Sequence, residues 1–396
     1  MIKQLFLCFL LSLFTFCAFA QKKDIAQAKT YIKSGKNLDK AEQLMTKLLA
    51  DSIHRQNLKV HATLTEALRA QYEQSTEKMY LRQRVDTAAV FALALRMFRA
   101  HETLDSLDAL PDNKGRVKIR YRSKNAAFLH RYRRNLFTGG AWFIRKQDFN
   151  KGYTYMDEYL KCGRQPLFSS YHYEPDSVAA YWALFCGYKL DCPAKTLRFA
   201  DLAKRDTSHL ENTLQYLAET FATKKDTARY MATLQEGFLR YKQSPYFFTY
   251  LVDFYSRGHR YNTALDVADQ ALEASPDNEL FLIAKSNILL NMGRYGECID
   301  VCDTLIARNE SLADAYYNAG AAWMNKAFEL ERTAMNEKAR RKRQQEFYVH
   351  ARPYMEKYRA LRPDNRDKWA TALYNIYLNL NLGREFEEID RILRGK

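Results

Sequence analysis

Residues 101–105 read HETLD, which opens like a zinc-protease helix, where two histidines one turn apart hold the metal and the glutamate between them acts as base. Asp105 stands where the second histidine must be, so the metal lacks a ligand and the motif does not carry that chemistry. The 8 histidines are scattered from His54 to His350. No GxSxG, GxxxxGK[ST] or GxGxxG occurs, which leaves no nucleophile elbow and no phosphate cradle. Glu387, Glu388 and Asp390 lie close together near the C-terminus, where such a group is expected to be a wet helix face. No metal and no cofactor are expected. A catalytic site assembled from distant parts of the chain stays as a third functional reading, behind two binding readings.

Of the 7 cysteines, Cys8 and Cys17 fall in the first 20 residues. Cys298 and Cys302 share a helix face, and Cys186 and Cys192 flank a turn between helices. All are expected to be small buried residues at helix crossings. Were a disulfide to form, Cys186–Cys192 would be the pair. No CxxC motif is present.

Charge is the loudest feature of composition: 62 Lys and Arg against 46 Asp and Glu, a formal net charge of +16. It concentrates in KGRVKIRYRSK (114–124), followed by Arg131, Arg133 and Arg134, and in KARRKR (338–343), which includes Arg340, Arg341, Lys342 and Arg343. Such tracts are either solvated faces or docking patches for an anionic envelope surface. Nucleic acid is not expected, because no recognition motif accompanies the charge.

These residues must be positioned by a repeating scaffold. Leu184, Ala218, Val252, Ser286 and Gly320 recur every 34 residues. The bulky Phe221, Tyr255, Leu289 and Trp323, and Leu214, Phe248, Leu282 and Tyr316, keep the same step. Each unit holds two amphipathic stretches. Phe248, Leu251, Val252 and Tyr255 form one stripe, Gly258 breaks that helix, Ala264, Ala268 and Ala271 face inward from a second, and Pro276 stops it. A unit this small buries its apolar face only against its neighbours, so the period predicts an all-α stack of helix pairs.

The stretch ADAYYNAGAAW (313–323), with Tyr316, Ala319, Gly320 and Trp323, resembles the first helix of a tetratricopeptide repeat. NMGRYGECI (291–299) is similar to that family's turn and second-helix start, and ARPYMEKYRALRPDN (351–365) to its second helix with a closing proline. The resemblance covers most of residues 125–396. It is loose before that, where only SGKNLDKAEQLMTKLL (34–49) matches, and the order of units looks like an exported, envelope-associated bacterial subgroup. It implies a right-handed solenoid of antiparallel helix pairs whose first helices line a concave face that binds protein or peptide. The off-core positions expected to meet a partner are Asn287, Leu290, Asn291, Tyr317, Asn318, Ala321, Met324, Tyr374 and Tyr377. Asp314 and Asp367 stand where a lysine clamp for a peptide carboxylate would need other residues, so that clamp is not expected.

Three segments depart from the period. Residues 326–347 hold an insertion rich in helix formers, expected to extend the two flanking helices. Residues 163–177 are an enlarged loop, and residues 55–110 form a longer helical pair within an N-terminal region spanning 21–124. Residues 1–20 carry Lys3, an apolar run from Leu5 to Phe16 and Ala18-Phe19-Ala20, which predicts a secretory signal peptide and an exported, periplasmic chain. No other stretch is apolar enough to span a membrane. The leading functional reading is a scaffold for protein partners in envelope assembly or secretion, not an enzyme. The alternative is an accessory protein that binds surface glycan or anionic lipid through aromatic and basic patches.

Overall fold

The computed structural model describes residues 21–395. The expected signal peptide lies outside them. Among the described residues the secondary structure is helical, without a strand. The chain forms two compact units that divide between Thr220 and Phe221.

In the first unit, α1 (21–34) and α2 (Leu38–Ala50) pair around Ala28, Ala41 and Met45. The expected long pair follows as α3 (Leu58–Tyr80) and α4 (Thr87–Asp108). Side chains of Asn57 and Asp86 accept from the first free amides of these two helices and start them. Next come α5 (Arg122–His130), α6 (Arg134–Arg145), α7 (Phe149–Cys162) and α8 (Ser177–Lys189). The second helix of the α8 pair is broken into α9 (Pro193–Leu197) and α10 (Ala200–Ala203), which the sequence pattern did not predict. The enlarged loop at 163–177 holds a 3-10 turn whose Leu167 and Phe168 are buried, with the Phe168 ring centroid 6.3 Å from that of Phe98.

The division of units falls within α11 (Leu210–Thr223). The second unit is the regular part: α12 (Thr227–Arg240), α13 (Pro245–Arg257), α14 (Tyr261–Ala274), α15 (Glu279–Asn291) and α16 (Tyr295–Arg308). First helices begin at 245 and 279 and second helices at 227, 261 and 295, so the 34-residue step is a step of whole helix pairs. Then α17 (Ala313–Glu329) and α18 (Glu337–Leu361) run to 17 and 25 residues, so the insertion does lengthen both flanking helices. The extensions pack on each other, Gln344 Nε2 donating to the Ala327 carbonyl at 3.1 Å. Finally α19 (Arg366–Asn379) and α20 (Gly383–Leu393) close over a core of Met355, Tyr358, Trp369, Leu373, Ile376 and Ile389. The Ala264, Ala268 and Ala271 stripe is buried as expected, whereas Val252 is half-buried. A Cβ on Gly320 would lie 2.9 Å from Met355 Cγ, which is why the smallest residue sits at that crossing.

Gly258 ends α13, as expected, as its C-cap residue at φ −83°, and the left-handed residue of the turn is His259, at φ 54°. Arg260 N then donates to Tyr255 O at 2.8 Å, the bond that closes a helix end through a left-handed residue. The same six-residue closure recurs at Gln147, Asp191, Lys225, Gly293 and Asn381, and only Gly293 is a glycine. One bond geometry therefore ends most of the first helices, and five of these six positions accept a side chain in the left-handed region at some cost in strain.

Candidate functional site

The solvent-facing side of the first helices in the second unit is the candidate. Each of α13, α15, α17 and α19 buries one stripe against its neighbours and leaves the other side open. Asn287 and Asn291 are exposed on α15, one turn apart. Asn291 Nδ2 donates to Asn287 Oδ1 at 2.7 Å and to the Asn287 carbonyl at 2.8 Å, which fixes both amides at the surface. Leu290 and Ala321 are half-buried beside them. On α17 the Tyr317 ring is half-buried, its centroid 5.2 Å from Tyr358, and Lys368 Nζ sits 4.9 Å from the same ring. On α19 the half-buried Tyr374 packs 4.7 Å from Phe386 and is flanked by Leu378, 51% exposed. Asp314 and Asp367 are exposed.

Three expected contact residues do not belong to this face. Asn318 is buried, its Nδ2 donating to Ser286 Oγ at 3.0 Å across the seam with α15. It follows Tyr317 by one residue, about 100° further round the helix, which turns it from the open side into the seam. Met324 is buried in the core that holds Ala327 and Tyr348. Tyr377 is buried as well, its hydroxyl donating to Glu356 Oε1 at 3.0 Å, and burial pushes that phenol's pKa up. These three are parts of the packing.

The basic tracts divide too. Between 114 and 124, Arg122 makes a two-pronged pair with the buried Asp105 at 2.8 and 2.8 Å, and Arg120 reaches the buried Asp108 at 3.1 Å. Asp108 also accepts from the backbone amides of Arg120 and Tyr121. These arginines pin an extended segment to the end of α4 and are not free for a partner. Arg133 is likewise internal, its guanidinium 3.9 and 4.2 Å from the rings of Tyr159 and Tyr173. On α18, Arg341 pairs with Glu337 at 2.6 Å and Arg343 with Glu346 at 2.9 Å. Lys342 is exposed and Arg340 half-buried, and neither has an ion pair recorded among the described residues.

Nothing at HETLD assembles a metal site. His101 is buried with Nδ1 2.7 Å from the Met97 carbonyl, and burial pushes its pKa down to about 4. Among the described residues no trio of His, Cys, Asp or Glu is placed to hold a metal ion, and no helix is long and apolar enough to cross a membrane. Glu388 and Asp390 pair with Arg359 and Arg394. The five described cysteines are free thiols, so Cys186 and Cys192 are not bonded. Cys298 and Cys302 are buried on one face of α16, as expected, and the hydrogen bond that the Cys298 thiol donates to Cys302, together with burial, drives the Cys298 pKa up.

Two groupings were not legible beforehand. In the first unit half-buried rings form a row: Trp182 and Phe185 lie 5.7 Å apart, Phe185 and Tyr216 5.8 Å, Tyr188 and Tyr216 4.4 Å. The other is a pair of carboxyl groups, Glu102 and Glu158, facing each other where α4 meets α7. Arg99 and Glu158 are 59 residues apart in the chain, so no short spacing announces that cluster.

No protein-family model matches the chain, and no curated protein does either. Among solved structures it is similar to PilW, a type IV pilus biogenesis factor, at 13% identity over 56% of this chain and 93% of that one, TM-score 0.38. It is also similar to MamA of Desulfovibrio magneticus RS-1 at 17% identity, over 47% and 96%, TM-score 0.36. A TPR-repeat protein of Bacteroides fragilis is a third, at 16% identity, over 66% and 98%, TM-score 0.31. The fold is an all-α tetratricopeptide-type repeat. That statement stands on the helix pairs themselves, their 34-residue step and their common turn.

Proposed function

We infer that this chain is an exported, periplasmic scaffold that holds segments of protein partners during envelope assembly or secretion. The observation that carries this reading is the open row on consecutive first helices: Asn287 and Asn291, then Tyr317, then Tyr374 with Leu378. Paired amides can donate to and accept from an extended backbone, and half-buried tyrosines offer rigid contact area at little entropic cost. The expected signal peptide at 1–20 supports export.

The test is crosslinking and capture from intact cells with the native chain and with Asn287→Arg/Tyr374→Arg. A partner recovered in stoichiometric amount by the native chain should fall at least tenfold with the double variant, since residues of this kind at the centre of an interface each contribute about 2 kcal/mol. Equal recovery from both would count against the reading, as would no partner from either.

A further inference from the structure

The carboxyl pair where α4 meets α7 is not used by the scaffold reading. A recess of about 480 Å³ there is lined by Arg99, Glu102, Thr103, Glu158 and Lys161. Glu158 is 4% exposed, and its Oε2 accepts from Arg99 Nε at 2.7 Å. Lys161 is drawn off to Asp157, its Nζ 2.7 Å from Oδ2, and Arg198 faces Asp157 from the other side at 3.2 Å. Glu102 lies against Glu158, and its Oε1 is buried with no donor reaching it.

Ionised carboxylates only accept hydrogen bonds. Two of them side by side in a recess, with one guanidinium committed to the first, leave the second as a charge without a donor. One proton changes that, because a protonated carboxyl donates to its neighbour. We propose that Glu102 carries a proton at neutral pH and donates it in a hydrogen bond to Glu158, so that the contact of α4 with α7 is a proton-held latch that slackens as pH rises.

Burial, and then the negative charge of Glu158, push Glu102 up to about 8, while Lys161 and Arg99 pull the other way. The remaining titratable neighbours are neutral across the same range: burial pushes the Cys162 thiol up to about 12 and His101 down to about 4. In the unfolded chain Glu102 returns to 4.5. Between these values the folded chain holds the extra proton, so stability falls as pH rises through that window and levels off above it.

Infrared spectra of the full chain test this directly. A protonated-carboxyl band should be present at pH 7, titrate away near pH 8 and be missing in Glu102→Gln, whose amide can still donate to Glu158. The unfolding constant of the native chain should rise by up to about tenfold per pH unit relative to Glu102→Gln across the window. Absence of the band from the native chain at pH 7 overturns the proposal whether or not the variant folds. An equal pH dependence in both proteins overturns it as well.

Discussion

The two units hold themselves together differently. The second repeats one solution: an apolar stripe on each first helix packed against its neighbours, with small residues at second-helix crossings such as Ala268, Cys298 and Ala351. The first relies on individual polar ties that occur once each, such as Asp105 with Arg122, Asp108 with Arg120 and Glu158 with Arg99. A repeated apolar contact spreads its contribution over many neighbours. A buried ion pair is different: removing one partner leaves the other uncompensated.

That difference can be broken or sharpened by substitution. The largest effect should come from the repeated core. Phe248 is 1% exposed with its ring centroid 4.3 Å from Phe281, and Phe248→Ala should cost about 3–5 kcal/mol in denaturant unfolding. A cost near 1 kcal/mol would mean that the second unit is loosely packed. In the first unit Arg122→Ala strands the Asp105 carboxylate, whose side chain is 3% exposed, and should cost about 3 kcal/mol. Should Asp105→Ala and Arg122→Ala each prove nearly neutral, the tie is decorative and the contrast between the units fails.

Acid should act on the first unit next. His101 is held neutral by burial, with its pKa down from 6.5 to about 4. The unfolded chain therefore takes up a proton first as pH falls, and stability is lost from about pH 6.5 downward. At pH 5 the loss from this group alone should be about 2 kcal/mol, at 1.36 kcal/mol per pH unit. His101→Leu should flatten that part of the stability profile, and an unchanged profile would contradict the assignment. The smallest effect belongs to the surface: replacing Arg340, Arg341, Lys342 and Arg343 by Gln should change stability by about 0.5 kcal/mol or less, because the pairs of Arg341 with Glu337 and of Arg343 with Glu346 are exposed. A larger loss would make the basic turn of α18 structural.

The same contrast explains what the sequence reveals. The second unit is legible because each helix pair sets the same residues in the same contacts, so its period shows the phase, the buried stripes and the lengthened α17 and α18. Rotation about a helix is less legible. Tyr317 and Asn318 are neighbours in sequence, yet one lies on the open face and the other in the seam with Ser286. Glycine is also an incomplete guide to turns, since His259 takes the left-handed position beside Gly258. In the first unit the deciding partners come from other helices. Arg120 and Arg122 read as surface charge until α4 places Asp105 and Asp108 opposite them, and no spacing rule connects Glu102 with Glu158.

The most direct test of the scaffold account is a photo-crosslinking side chain placed at Asn287, on the open face of α15, and, as a control, at Asp266, exposed on the second helix α14. In intact cells the account predicts a discrete protein adduct from position 287 and none from 266. Equal labelling at the two positions, or no adduct at 287, would contradict it.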